Sequence, residues 1–170
     1  MMKRITTFLL VCFITNSAKG QSVDSLIDFK KYNPGTSLRI ESYIHDSTDC
    51  GEWGGHTETI NIFNMDLNPD SLMIFYTRYP TRCVTKQPRP LPKNALIDYR
   101  GLLVAEKQEI IREYIKRLRN HIPSTGMYSN ASNSYEVSFT KGHLTTSFKI
   151  HDKDNSFKEY EEFRNTLFRK

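Results

Sequence analysis

Apolar residues in this chain recur at two different periods, and the order in which those periods alternate constrains the fold more than any other feature. Period two reads as a strand with one buried face, whereas steps of three and four read as a helix with a buried stripe. Leu38, Ile40 and Ile44 interleave with Arg39, Glu41 and Tyr43, and Ile60 and Ile62 interleave with Thr59 and Asn61. Leu72, Ile74 and Tyr76 follow a turn signal at Asn68-Pro69-Asp70, so the second and third runs form an antiparallel hairpin. Met73 and Phe75 fill the other phase of the third run, which predicts burial on both faces and a central place in the sheet.

Helical spacing frames and interrupts these strands. Val23, Leu26, Ile27 and Phe29 predict a short helix opened by Ser22 and stopped by Asn33-Pro34-Gly35. Pro80, Pro88, Pro90 and Pro92 make residues 80–100 an extended crossing segment that lacks ladder hydrogen bonds at the prolines. Val104, Ile111, Ile115, Leu118 and Ile122 then form one helical stripe, with Glu113 placed to pair with Arg117 and with Pro123 and Gly126 as the stop. Tyr135, Val137 and Phe139 and then Leu144, Phe148 and Ile150 predict two more strands, joined by a tight turn at Lys141-Gly142. A final helix opens with the capping-box pair Ser156 and Glu159, and its stripe of Phe157, Tyr160, Phe163, Leu167 and Phe168 packs on the sheet. The expected architecture is α+β: a mainly antiparallel sheet of about five strands with helices on one face and a single disulfide.

Residues 1–20 read as a secretory signal peptide that is removed. Lys3 and Arg4 precede an apolar run from Ile5 to Ile14, and Ala18-Lys19-Gly20 supplies the small-residue cleavage site. That run is about half the roughly 20 residues needed to span a bilayer, and nothing later is apolar enough for a membrane segment. Residues 21–170 then form one globular domain, and its net charge falls from +5 to +2 because Lys3, Arg4 and Lys19 leave with the leader. Cys12 leaves as well, so Cys50 and Cys83 are the expected disulfide of a periplasmic or extracellular protein. In the chain-entropy model such a closed loop contributes about 3.5–4 kcal/mol.

The richest stretch runs from His45 to Glu58 and holds Gly51, Gly54 and Gly55, which let the chain fold tightly around Trp53. Its residues suit a binding loop, with Glu52, Trp53 and His56 as the contact candidates. His45, Asp49, Glu52 and His56 are also the ligand types of a zinc-like ion, and Glu58 could then serve as the base of a metal-assisted hydrolase. No H-E-x-x-H spacing is present, although His56 and Glu58 share a face if this stretch is a strand. The run Cys50-Gly51-Glu52-Trp53-Gly54-Gly55-His56-Thr57-Glu58 resembles a motif of uncharacterised exported bacterial proteins. That resemblance implies bacterial export and a shared loop, with no activity attached.

Charge is divided along the chain. Residues 21–77 carry three basic and nine acidic side chains, whereas 78–119 carry eleven basic and four acidic. Arg78, Arg82, Lys86, Arg89, Arg112 and Lys116 could therefore form a basic face for a polyanion, or merely a solvated surface. Nucleic acid is not the expected partner of an exported chain without a recognisable binding module. There is no G-x-S-x-G elbow, P-loop, dinucleotide turn or C-x-x-C pair, and no motif calls for a cofactor. The leading reading is an exported, non-catalytic domain that binds another macromolecule, a protein above all. The metal-assisted hydrolase and the polyanion binder are the alternatives.

Overall fold

The computed structural model describes residues 27–45, 54–65, 71–80, 96–121, 132–153, 155 and 157–169. The expected leader, the cysteines Cys50 and Cys83, the prolines at 88, 90 and 92 and the candidate cap Ser156 lie outside them. Six strands form one sheet: β1 (Thr36–His45), β2 (Gly55–Asn64), β3 (Leu72–Pro80), β4 (Leu96–Leu102), β5 (Asn133–Lys141) and β6 (Leu144–Asp152). Among the described residues two helices accompany it, α1 (Ala105–Asn120) and α2 (Glu159–Leu167). The strand order is β4-β3-β2-β1-β5-β6, and every neighbouring pair is antiparallel.

Alternation sets which face each side chain takes. Leu38, Ile40 and Ser42 of β1 stand level with Ile62, Ile60 and Glu58 of β2, and all six are buried. Leu72, Ile74 and Tyr76 continue this layer on β3, and Tyr135 and Val137 continue it on β5. Both helices cover the same layer: Tyr160 of α2 reaches Glu58, and Phe163 of α2 stacks on Tyr114 of α1 at 3.9 Å between ring centroids. Near the far end of β2, Asn64 donates to the Tyr32 carbonyl at 3.0 Å and holds a short 3-10 turn, Phe29–Lys31, against the core. Residues 23–26 of the expected first helix lie outside the described residues.

Three expectations need correction. The sheet has a sixth strand, because part of the proline-rich crossing returns as β4 and pairs with β3. One extra residue on β4 shifts the register between Tyr76 and Thr77, a β-bulge of the kind common near sheet edges. Consequently β3 is second from the edge, and β2 and β1 are central. Met73 and Phe75 are only half-buried on the other face, where Phe75 stacks on Phe63 at 5.0 Å. Finally, Glu113 pairs with Lys116 at 2.9 Å, the three-residue neighbour, and not with Arg117.

Local signals explain the boundaries. α1 ends at Asn120, two residues before the Ile122-Pro123 step, since a residue preceding proline avoids the helical region. Gly142, with φ of +60°, opens the two-residue turn between Lys141 and Leu144, as a type II′ hairpin requires. α2 carries no side-chain cap of its own and has Lys158 in the N-cap position. Its entry is held instead by Asp152 of β6, whose Oδ2 accepts from the Phe157 amide at 2.9 Å.

Candidate functional site

Glu58 occupies the inward phase of a central strand, the position where a carboxylate is most costly to desolvate. Its side chain is fully buried, yet it is surrounded by donors. His56 Nε2 lies 2.8 Å from Oε1, Arg164 donates from Nη1 to the same oxygen at 2.8 Å, and Tyr160 donates its hydroxyl to Oε2 at 2.7 Å. Tyr76, buried on the neighbouring strand β3, adds a further influence that favours the charged carboxylate. Three bonds occupy most of the roughly four lone-pair sites of a carboxylate, so most of its accepting capacity is taken up by the protein.

The electrostatics follow from that count. Burial opposes the charge on Glu58, but the hydrogen bonds from His56 and Tyr160, the Arg164 cation and the nearby Tyr76 together hold its pKa down at about 2, against an ordinary 4.5. Burial and the adjacent carboxylate push the Tyr160 hydroxyl well up, so it stays a donor. Arg164 is also held in its charged form, because Glu58 outweighs the burial that disfavours the cation. A depressed carboxylate pKa contributes stability that is present above pH 4.5 and lost as pH falls toward 2. Acid titration should therefore remove about 3 kcal/mol through this one group. Unfolding in urea at stepped pH, compared with Glu58→Gln, measures it; equal slopes for both chains between pH 4.5 and 2 would refute the assignment.

The cluster approaches the surface at two members, His56 with 14% of its side chain exposed and Arg164 with 28%. The second ring nitrogen of His56, Nδ1, lies 3.4 Å from Arg78 Nη2, so both nitrogens face protein groups. Gly55 precedes it at φ of +141°, and a Cβ there would stand 2.3 Å from the Ile44 carbonyl oxygen. Only glycine allows β1 and β2 to approach so closely where the loop leaves the sheet. On the loop side, the Tyr43 hydroxyl donates to the Gly54 carbonyl at 2.9 Å.

The candidates named from sequence distribute unevenly. Register pairs Ile44 with His56 and His45 with Gly55, so adjacent phases send His45 and His56 to opposite faces of the sheet. Asp49, Glu52 and Trp53 lie outside the described residues. Among the described residues no group of three His, Cys, Asp or Glu is placed to hold a metal ion. Of the basic candidates, Arg82, Lys86 and Arg89 lie outside the described residues. Arg112 pairs with Glu109 at 2.7 Å and sits over the Phe29 ring, while Lys116 pairs with Glu113. Phe29 packs on Tyr32, which is tied to Asn64, whereas Arg78 stands beside His56, roughly 26 Å away along β2. Among the described candidates, Arg78 therefore stands apart from Arg112.

Sequence reasoning missed Tyr160, Arg164 and Tyr76 as partners of Glu58. One signal was present: Glu58 shares the inward phase of Ile60 and Ile62, and a carboxylate in that phase demands donors from elsewhere. Among the described residues, no helix is long and apolar enough to cross a membrane. Comparison with known proteins finds no matching family model, no matching curated protein and no matching solved structure.

Proposed function

We propose that this chain is an exported, non-catalytic domain that binds another macromolecule, most simply a protein, through His56 and the loop residues Glu52 and Trp53. One observation carries the reading: the Glu58 carboxylate is fully buried and already accepts from His56, Tyr160 and Arg164, which suits a structural role better than that of a base. Glu58 therefore acts as a strut. It orients His56 at the rim of the sheet, and Gly55 fixes the direction in which the chain leaves it. A preformed rim beside an aromatic loop residue suits recognition, because little ordering is needed on contact.

The same reading includes removal of residues 1–20 and a Cys50–Cys83 disulfide in a periplasmic or extracellular setting. The leader pattern and the even cysteine count of the remaining chain support both parts. The metal-assisted alternative needs His45 and His56 on one ion, and the register that separates them does not favour it.

The test uses protein purified from the exported fraction. Intact mass should begin at Gln21, with two thiols alkylated only after reduction. Immobilised wild-type protein should then retain a reproducible set of envelope or medium proteins. Glu52→Ala with Trp53→Ala, which leaves the Glu58 network untouched, should lose that set, and so should the same variant with His56→Ala added. Identical retention by all three proteins would overturn the loop as a contact surface.

A further inference from the structure

The face of α1 turned toward α2 carries an acidic stripe inside a segment that is basic overall. Glu106, Glu109 and Glu113 follow steps of three and four residues, and Glu159 and Glu162 of α2 line the same groove. The groove encloses about 430 Å³, and its apolar surface comes from Ile110, Tyr114 and Phe163. Arg117 is the single cation among the described residues that line it. Glu109 and Glu113 have partners on their own helix, Arg112 and Lys116, while Glu106, Glu159 and Glu162 make no ion pair among the described residues.

Like charges gathered on one groove repel one another, and the described residues supply one lining cation against five carboxylates. The cavity and its apolar surface are a separate observation from that charge. Carboxylates on both helices, with an apolar strip among them, match a side chain that combines an apolar stem with a cationic head. From Glu159 to Thr166 the groove follows α2 for about 10 Å, the reach of three or four residues of extended peptide.

We propose that the groove between α1 and α2 docks a basic segment of a partner protein, one in which lysine or arginine alternates with apolar residues. The cationic heads sit among Glu106, Glu159 and Glu162, and the stems and apolar neighbours cover Ile110 and Phe163. A polyamine would satisfy the carboxylates and leave the apolar strip without side chains to cover it. This site shares no residue with the His56 loop, so either can fail without the other.

A six-residue peptide alternating arginine and leucine, acetylated and amidated, is the probe for calorimetric titration. The same peptide with citrulline for arginine keeps the shape and removes the charge. Wild type and Glu161→Gln should bind the arginine peptide alike, since Glu161 lies in the same first turn of α2 but off the groove. Glu159→Gln with Glu162→Gln should weaken it about tenfold or more, and the citrulline peptide should bind at least that much more weakly. Equal affinity for wild type and the double variant would overturn the proposal. So would spermidine binding as tightly as the peptide, which would make the groove a site for charge alone. Self-association in sedimentation that disappears in Glu159→Gln with Glu162→Gln would assign the groove to a second copy of this chain and also overturn it.

Discussion

Replacing Glu58 with alanine lowers the unfolding free energy by about 3–5 kcal/mol, the usual cost of removing one partner from a buried charged network. For a chain of this size that moves the thermal midpoint down by roughly 10 °C. The loss is large because the remaining groups cannot all escape to water. Tyr160 is 3% exposed, so its hydroxyl is left beside an emptied space, while Arg164 retains a partly buried cation without its carboxylate. Glu58→Gln should cost less, about 1–2 kcal/mol, because an amide oxygen still accepts from Arg164 and His56. Arg164→Met should also cost less than Glu58→Ala, since His56 and Tyr160 still bond the carboxylate. Equilibrium urea unfolding of the three single variants and of Glu58→Ala with Arg164→Met measures the coupling. Strictly additive losses would show that the Glu58 carboxylate and the Arg164 guanidinium are not coupled.

The second large effect belongs to Phe157, at the junction of β6 and α2. Its ring lies 5.0 to 6.0 Å from the rings of His121, Tyr135 and Tyr114, so it joins the end of α1, strand β5 and the start of α2. Its backbone is tied at both ends, by Asp152 at the amide and by the Tyr135 hydroxyl at the carbonyl, 3.4 Å away. Phe157→Ala should cost about 3–5 kcal/mol, from lost burial plus the cavity left among three rings. Phe157→Leu refills most of that volume and should recover more than half of the loss. Urea unfolding of both variants checks this, and an alanine penalty below about 1 kcal/mol would mean that the site collapses to fill the space.

Much of the fold was legible because its determinants are local. β1, β2, β3, β5 and β6 fall where the period-two runs lie, and α1 and α2 fall on the two long helical stripes. The turn at Gly142 follows from a conformation that glycine adopts without strain. Even the shared face of His56 and Glu58 could be read from their spacing. The sixth strand was not legible, since Leu96–Leu102 follows a proline-rich stretch and pairs with β3 through an irregular register. Nor was the contact at the entry of α2, where a carboxylate from the preceding strand accepts from the Phe157 amide.

The candidate site was legible in outline only. Its strand residues share a phase with the core, which marks Glu58 as an anomaly, but the donors that explain it lie 102 and 106 residues further along the chain. Spacing within fourteen residues suggested that His45 and His56 could act together, whereas pairing across β1 and β2 sends them to opposite faces. The charge count for 78–119 likewise concealed an acidic stripe on α1, because a sum over a segment carries no information about helical phase.

What the sequence by itself determined were the periods, the turns and the stops, since each depends on residues within a few positions of one another. Tertiary structure alone decided the order of the strands, the neutralisation of Glu58 by α2 and the meeting of two acidic stripes over an apolar groove. Those outcomes join groups that are remote in the chain, and only the burial of both helices on one face of the sheet brings them within bonding distance.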